Sequence, residues 1–276
     1  MTVDVTDEVA GRLLRAWDGA SLAALPSSGE QAFDLPAAWK VARELKRLRL
    51  ARGETLAGWK IGFTNRSIWE RYRVHAPIWG PVWGEGLVQL EGDSATLSLA
   101  GLCQPRLEPE IVFGFARTPQ PGMDLEALRG CLAWVAHGFE IVHTHFEGWR
   151  FTAPDTVADF ALHGRLLVGP RVDVRGWTSL GADLAALRLT LQEGGQMRDA
   201  GQGGVVLDGP LQALRHWLAE MAVHTPDWRV EPGHVVTTGT LTDAWPLQPG
   251  QVWRTGLEVP GAHGRGLRGL TLRVVA

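Results

Sequence analysis

Apolar residues recur at helical spacing near the start of the chain. Residues 6 to 20, TDEVAGRLLRAWDGA, and residues 34 to 53, DLPAAWKVARELKRLRLARG, each carry an apolar stripe of helical period. In the second segment Asp34 is a candidate N-cap, Pro36 falls in the first turn, and Gly53 follows the last periodic residue. The pattern therefore predicts two helices before the first strand.

The later apolar runs are short and are separated by turn-forming residues, which is typical of strands. We predict strands at residues 57 to 63, 86 to 91, 109 to 115, 138 to 145, 165 to 169, 185 to 192, 234 to 238 and 267 to 275. Helices are predicted near residues 124 to 136, with Asp124 as cap, and near 209 to 222. Helices followed mostly by strands favour an α+β fold. We place a helical N-terminal region at residues 1 to 55 and the main domain at 56 to 276.

Composition excludes several classes of partner. The 276 residues include 27 Lys and Arg against 30 Asp and Glu, and the chain has no long run of like-charged residues. Binding to nucleic acid or to a membrane surface is therefore not indicated. The N-terminus has no secretory signal pattern, and no apolar stretch approaches the roughly 20 residues that span a bilayer. Cys103 and Cys131 form no CxxC motif. We expect a cytoplasmic protein, and the 13 Trp residues indicate core packing and subunit contacts of a homo-oligomer.

Two carboxylates interrupt the apolar run PRLEPEIVFGF, residues 105 to 115. Because side chains alternate along a strand, Glu108 and Glu110 project from one face and Pro109 from the other. Adjacent like charges in a partly apolar setting repel unless a cation or a shared proton compensates. Carboxylate oxygens suit hard cations such as Mg²⁺, Mn²⁺ or Ca²⁺. The residues alone also permit an exposed edge strand, in which Pro109 is tolerated.

The chain resembles the hydratase/decarboxylase family, which groups 2-hydroxypenta-2,4-dienoate (2-oxopent-4-enoate) hydratases with 4-oxalocrotonate decarboxylases. This family lies within the fumarylacetoacetate-hydrolase-like superfamily. The resemblance covers about residues 8 to 275 and rests on five ordered segments: LAGWKIGFTN (56 to 65), LEPEIVFGF (107 to 115), GFEIVHTHFEGW (138 to 149), PDTVADF (154 to 160) and GTLTDAWPLQPG (239 to 250). It implies a mixed β-roll with flanking helices and makes residues 56 to 276 the metal-binding catalytic domain.

The resemblance also implies the metal ligands. Family members carry Mg²⁺ or Mn²⁺ on the two glutamates of the E-P-E strand and on a third glutamate after the next helix. These positions fall on Glu108, Glu110 and Glu140 in this chain.

Further roles follow from the same resemblance. Lys60 would face the substrate and transfer protons or stabilise charge, with a pKa that burial and a metal depress. Asp159 would support the site, and Thr240 would contact the substrate carboxylate. From the residues alone, Lys60 is more typical of an edge-strand lysine that reaches solvent, and Asp155 and Asp159 are equally compatible with helix caps.

In the chemistry that this resemblance implies, a metal chelates a 2-oxo acid and stabilises the enolate that forms from it. A decarboxylase releases the distal carboxylate of a 4-oxalocrotonate-like 2-oxo dienoic acid as CO₂, and a hydratase adds water across the distal double bond. The segments HAPIWGPV (75 to 82), with Ile78 where hydratases tend to have an acidic residue, and EGWRFTAPDTVAD (147 to 159) resemble the decarboxylase branch. We therefore expect a decarboxylase, with a hydratase as the alternative and a pathway hydratase or decarboxylase as a possible protein partner.

The chain departs from the family pattern in the same region. The family usually reads Asp-Ser-Arg where this chain has His143, Thr144 and His145, and Phe160 replaces an asparagine. If His145 and Phe160 contact the substrate, a guanidinium and an amide are missing from the pocket. We therefore expect a substrate with a bulkier or less polar distal end than 4-oxalocrotonate.

Three other interpretations stay open. His143 and His145 could bind zinc, although strict alternation along a strand would place them opposite Glu140, which favours surface or supporting histidines. A hydrolase of acylpyruvates would need a water-activating His-Glu pair, and none is evident ahead of the metal strand. A non-catalytic partner subunit would have no need to retain Lys60 and the three glutamates.

Overall fold

The computed structural model describes residues 5–29, 31–261 and 266–276. Its α-helices are α1 (Val5–Gly19), α2 (Leu35–Ala51), α3 (Trp69–Tyr72), α4 (Leu125–Arg129), α5 (Ala153–Ala158), α6 (Leu180–Ala185) and α7 (Pro210–His224). Its strands are β1 (Leu56–Gly62), β2 (Ile78–Trp83), β3 (Leu87–Gln89), β4 (Ser94–Ser98), β5 (Arg106–Phe115), β6 (Leu132–Val142), β7 (His163–Val168), β8 (Val172–Asp173), β9 (Arg188–Glu193), β10 (Gln196–Gln202), β11 (Val235–Thr240), β12 (Trp245–Pro246), β13 (Val252–Glu258) and β14 (Thr271–Val275). Within the described ranges, no helix has the length and apolar character needed to cross a membrane.

Two sheets contain the strands. The larger has the order β2-β1-β11-β5-β6-β7-β3, with β12 beside β5 and β8 beside β6. It is mixed, because β1 runs parallel to β11 whereas β11, β5, β6 and β7 pair antiparallel in turn. The smaller sheet has the order β10-β9-β13-β14-β4. The predicted α+β fold with a mixed sheet and N-terminal helices is confirmed.

The two N-terminal helices lie where the helical spacing predicts them. Asp34 caps α2, since its carboxylate accepts a hydrogen bond from the backbone N–H of Ala37 at 2.9 Å. Leu13 of α1 and Leu45 of α2 are fully buried in the same apolar core as Phe139 of β6. Burying one such leucine contributes about 1.5–3 kcal/mol. The helical N-terminal region therefore shares a core with the strand-rich part.

The prediction for residues 124 to 136 is wrong in its second half. Asp124 does cap α4, with its carboxylate 2.8 Å from the N–H of Ala127, but the helix ends at Arg129 and β6 begins at Leu132. Most of β6 is buried on both faces, so its apolar run lacks the alternation that marks a strand. Since β6 ends at Val142, the residues that follow it, including both histidines of the HTH segment, are not placed by strand alternation.

Candidate active site

Two neighbouring strands bring the three predicted metal ligands together. Glu108 and Glu110 lie on one face of β5, and Glu108 is directly opposite Glu140 of β6 in the antiparallel register. One oxygen from each of the three carboxylates lies within 4.8 Å of the others, the one such acidic, histidine or cysteine cluster among the described residues. Glu110 and Glu140 are fully buried, and Glu108 is partly exposed.

Glu140 is held by three hydrogen-bonding or charged neighbours. Its Oε1 accepts a hydrogen bond from Nδ1 of His163 at 2.8 Å and lies 3.3 Å from Nζ of Lys60. Its Oε2 accepts a hydrogen bond from the hydroxyl of Thr237 at 3.3 Å. The carboxylate is therefore fixed in orientation before any ligand binds.

Glu110 has one satisfied and one unsatisfied oxygen. Its Oε2 accepts a hydrogen bond from the N–H of Gly239 at 2.8 Å, and its buried Oε1 has no partner among the described residues. Gly239 has a φ of +105°, and a Cβ there would lie 1.8 Å from the hydroxyl of Thr64, so only glycine fits. A buried acceptor without a partner is costly, and a cation would satisfy it.

The protonation of the three carboxyl groups also fits a cation site. Burial raises the pKa of Glu108 to about 7, although Lys60 opposes this rise. Burial, together with Glu140 and Glu108, raises the pKa of Glu110 well above its ordinary value. Burial also disfavours ionised Glu140, but Lys60 and His163 outweigh it and hold its pKa at about 2. A divalent cation would displace the retained protons, and this all-oxygen donor set suits hard Mg²⁺ or Mn²⁺.

Lys60 of β1 lies on the same face as the acidic cluster. It is 3% exposed, and its ammonium donates a hydrogen bond to the carbonyl of Ala161 at 2.8 Å. Burial lowers the pKa of Lys60, but the carboxylates of the cluster outweigh burial and raise it above the ordinary value. In the metal-free protein the predicted effect of burial on this pKa is therefore outweighed, because carboxylates lie close to the ammonium. Lys60 is a buried cation that can stabilise negative charge or donate a proton.

Ala161 belongs to a turn with an uncommon backbone conformation. Phe160, Ala161 and Leu162 have positive φ values of 51°, 52° and 66°. Such values cost non-glycine residues roughly 1 to 3 kcal/mol each. Gly80 of β2 allows this turn to approach, since a Cβ at Gly80 would lie 2.1 Å from the carbonyl oxygen of Phe160. The turn directs the Ala161 carbonyl at Lys60.

A cavity of about 330 Å³ opens beside the cluster. Four of the predicted site residues line it: Lys60, Glu108, Ile78 and Thr240. The hydroxyl of Thr240 donates a hydrogen bond to the carbonyl of Thr242 at 3.0 Å and accepts one from the N–H of the same residue at 3.3 Å, so its proton is already used within the protein. Aromatic side chains of Phe63, Tyr72, Trp149 and Phe151 form much of the remaining wall.

Two arginines that we did not predict also line this cavity. The guanidinium of Arg106 lies over the ring of Trp149 at 4.1 Å, and that of Arg71 lies over Tyr72 at 5.5 Å. Neither guanidinium lies within ion-pair distance of a carboxylate in the described parts of the chain, although the nearby charge of Glu108 acts on Arg106. Arg106 could have been found from the sequence, because it is two residues before Glu108 and strand alternation places both on one face.

Asp159, His145 and Phe160 lie outside the cavity lining. Asp159 is fully buried and accepts hydrogen bonds from Nδ1 of His145 and from Nε1 of Trp17, both at 2.9 Å. Phe160 is fully buried and packs its ring against that of Trp17. The expectation of a less polar distal end therefore loses its basis, since neither His145 nor Phe160 contacts the cavity.

The histidines of the HTH segment are neither surface residues nor part of the acidic cluster. His143 and His145 are 1% and 0% exposed, and their rings contact each other with centroids 4.7 Å apart. No cluster of three metal-binding side chains among the described residues includes either one. The structure gives no support to the zinc interpretation.

Comparison with curated proteins identifies the family. The chain is 32% identical over 216 residues to a 2-hydroxyhexa-2,4-dienoate hydratase of Comamonas testosteroni, which covers 77% of this chain and 78% of that protein. The chain belongs to the hydratase/4-oxalocrotonate decarboxylase family. Members of this family are metal-dependent lyases. No protein-family model matches the chain.

Similarity within the family does not choose between its two activities. A 4-oxalocrotonate decarboxylase of Pseudomonas sp is 29% identical over 224 residues, which covers 81% of this chain and 83% of that protein. The two relatives are thus about equally similar to this family member, and one is named as a hydratase and the other as a decarboxylase.

Solved structures show the same fold. The 4-oxalocrotonate decarboxylase from Pseudomonas putida G7, complexed with magnesium and adipate, superposes with a TM-score of 0.85 at 22% identity, over 98% of this chain and 97% of that one. A fumarylpyruvate hydrolase from Pseudomonas aeruginosa, in complex with Mn²⁺ and pyruvate, gives a TM-score of 0.54 at 14% identity, over 79% of this chain and 88% of that one. The expected fumarylacetoacetate-hydrolase-like fold is confirmed.

Proposed function

We propose that this protein is a divalent-metal-dependent decarboxylase of a 4-oxalocrotonate-like 2-oxo dienoic acid. The observation that carries the proposal is the pair of guanidinium groups, Arg71 and Arg106, in the cavity that also contains Lys60 and Glu108. A 4-oxalocrotonate-like substrate has two carboxylates, whereas the hydratase substrate 2-hydroxypenta-2,4-dienoate has one. Arginine recognises carboxylates through charge-assisted hydrogen bonds, so two unpaired arginines favour the dicarboxylate.

In this proposal Glu108, Glu110 and Glu140 hold Mg²⁺ or Mn²⁺. When bound there, such an ion would supply Lewis-acid stabilisation at the 2-oxo acid end of the substrate. Lys60 adds a second positive charge on the same face, which stabilises negative charge developing on the 2-oxo oxygen. Its ammonium also carries the proton that this oxygen needs when the 2-hydroxydienoate product forms.

The outer part of the cavity suits release of CO₂. Arg71 is exposed, so solvent weakens its attraction for the distal carboxylate. The rings of Tyr72 and Phe151, which also line the cavity, cannot solvate the negative charge of that carboxylate. Such surroundings orient the carboxylate and still favour its conversion into a neutral molecule. Arg106 is partly buried over Trp149 and would hold substrate more firmly.

The proposal is tested by measuring CO₂ release from the dicarboxylate by the variant Arg106→Gln. We expect at least a tenfold loss of kcat/KM, about 1.4 kcal/mol, for the dicarboxylate in CO₂ release. The matched control is Arg150→Gln, because Arg150 is exposed beside Trp149 but does not line the cavity. Equal activity of the wild-type protein and both variants would remove the basis of the dicarboxylate assignment.

The homo-oligomeric state, the cytoplasmic location and the association with a pathway enzyme are further parts of this proposal. Light scattering of the purified protein tests the first, and cell fractionation with affinity capture tests the other two.

A further inference from the structure

The turn formed by Phe160, Ala161 and Leu162 is held from the side of α1. Asp159 immediately precedes the turn, and its carboxylate accepts the indole N–H of Trp17 at 2.9 Å. The ring of Trp17 also packs against that of Phe160, with centroids 6.0 Å apart. Trp17 thus contacts both the residue before the turn and the first residue within it.

The turn is also held from α2 and β2. The guanidinium of Arg49 lies between the rings of Trp17 and Trp83, at 4.7 Å and 4.5 Å from their centroids. The ring of Trp83 lies 5.9 Å from that of Phe160. We call Trp17, Arg49, Trp83 and Asp159 the clamp.

The turn has an unfavourable backbone conformation, so the clamp is needed to stabilise it. Three successive left-handed residues without glycine persist only where the surroundings determine them. The same conformation directs the carbonyl of Ala161 at the ammonium of Lys60, 2.8 Å away. Among the described residues, this carbonyl and Glu140 are the groups within hydrogen-bonding or ion-pair distance of the ammonium, and Glu108 and Glu110 act on it from farther away.

We propose that Trp17 is a positioning residue for Lys60. Its indole N–H holds the Asp159 carboxylate together with Nδ1 of His145. The backbone carbonyl of Asp159 accepts the N–H of Leu162 at 2.9 Å, which ties Asp159 to the left-handed turn. The turn then fixes the ammonium of Lys60 beside the acidic cluster. This inference rests on the role proposed for Lys60. It makes helix α1 part of the catalytic apparatus, although Trp17 does not line the cavity.

The substitution Trp17→Phe separates positioning from packing. Phenylalanine retains an aromatic ring against Phe160 and removes the N–H that donates to Asp159. The matched control is Trp177→Phe, which removes an indole N–H that donates to the Asp183 carboxylate at 2.6 Å, away from the cavity lining. Both variants lose one indole–carboxylate hydrogen bond, but only the bond between Trp17 and Asp159 lies next to the turn that contacts Lys60.

The direct readout is the side-chain ammonium signal of Lys60 in ¹⁵N NMR, assigned by its loss in Lys60→Met. We expect Trp17→Phe to shift or broaden this signal and to lower kcat at least about tenfold. KM and the Mn²⁺ affinity should stay within about twofold of wild type. Trp177→Phe should leave the signal and kcat unchanged.

The outcomes separate this inference from the proposed function. If the wild-type protein releases no CO₂, the proposed function fails, and the Lys60 signal still tests the positioning. An identical Lys60 signal in Trp17→Phe and Trp177→Phe would overturn the inference. Should Trp17→Phe be insoluble, Asp159→Ala removes the carboxylate that accepts the indole N–H and so interrupts the same link. An unaltered Lys60 signal in that variant would overturn the inference equally.

Discussion

Replacing Glu110 by glutamine should weaken metal binding and stabilise the metal-free protein. Glutamine can still accept the hydrogen bond from Gly239, but it cannot ionise when a cation binds among the three carboxyl groups, which approach within 4.8 Å. Burial, Glu140 and Glu108 raise the pKa of Glu110 well above its ordinary value of 4.5. A carboxyl group whose pKa rises on folding contributes stability below its unfolded pKa and loses it as the pH rises toward the folded value. At neutral pH, Glu110 therefore destabilises the metal-free fold, and glutamine does not.

The expected loss of affinity follows from the charge that is removed. Two unit charges 4 Å apart attract by about 4 kcal/mol at an effective dielectric constant near 20. Desolvation and proton displacement offset much of this, so we expect a net loss of at least about 1.4 kcal/mol, or tenfold in affinity. Calorimetry with Mn²⁺ measures the affinity, and thermal unfolding in chelator measures stability.

The exposed Glu91 provides the matched control as Glu91→Gln, which should change neither quantity. Unchanged affinity in the glutamine variants of Glu108, Glu110 and Glu140 would refute the metal assignment. A lower melting temperature of Glu110→Gln in chelator would refute the electrostatic argument.

Three further predictions concern the same face of the sheet. Lys60→Met should lower kcat far more than metal affinity, and comparable turnover in steady-state assays would reduce Lys60 to a structural role. Because the pKa of Glu108 is raised to about 7, Mn²⁺ binding should release protons and tighten as the pH rises through 7; calorimetric enthalpies that do not depend on the buffer would argue against this. Gly239→Ala should destabilise the protein by more than about 1 kcal/mol in denaturant unfolding, since its Cβ would lie 1.8 Å from a neighbouring hydroxyl. Gly233→Ala, at a similar φ of +91° but in open space, separates the clash from backbone strain, and equal losses in the two variants would contradict the clash.

The sequence could predict those parts of the site that local alternation determines. Strand alternation alone places Glu108 and Glu110 on one face, whereas the position of Glu140 came from the family resemblance. The same rule applied two residues earlier would have included Arg106. The second half of the helix predicted at residues 124 to 136 was wrong because β6 is buried on both faces, which removes the period that distinguishes a strand from a helix.

Other features depend on contacts that no local pattern shows. His145 and Phe160 align with polar family positions, but the left-handed turn and the Asp159 hydrogen bond direct both away from the cavity. The turn contains no glycine or asparagine, so the sequence gives no turn signal at Ala161. The raised pKa of Lys60 likewise results from carboxylates on other strands of the sheet.

The most direct test of the proposed activity is to follow CO₂ release and water addition in parallel. The wild-type protein with Mn²⁺ is given 4-oxalocrotonate in one assay and 2-hydroxypenta-2,4-dienoate in the other, each repeated in chelator. We predict metal-dependent CO₂ release from 4-oxalocrotonate with a kcat/KM of about 10⁴ M⁻¹s⁻¹ or above. Metal-dependent water addition to the monocarboxylate without CO₂ release from the dicarboxylate would contradict the proposal and identify the protein as a hydratase.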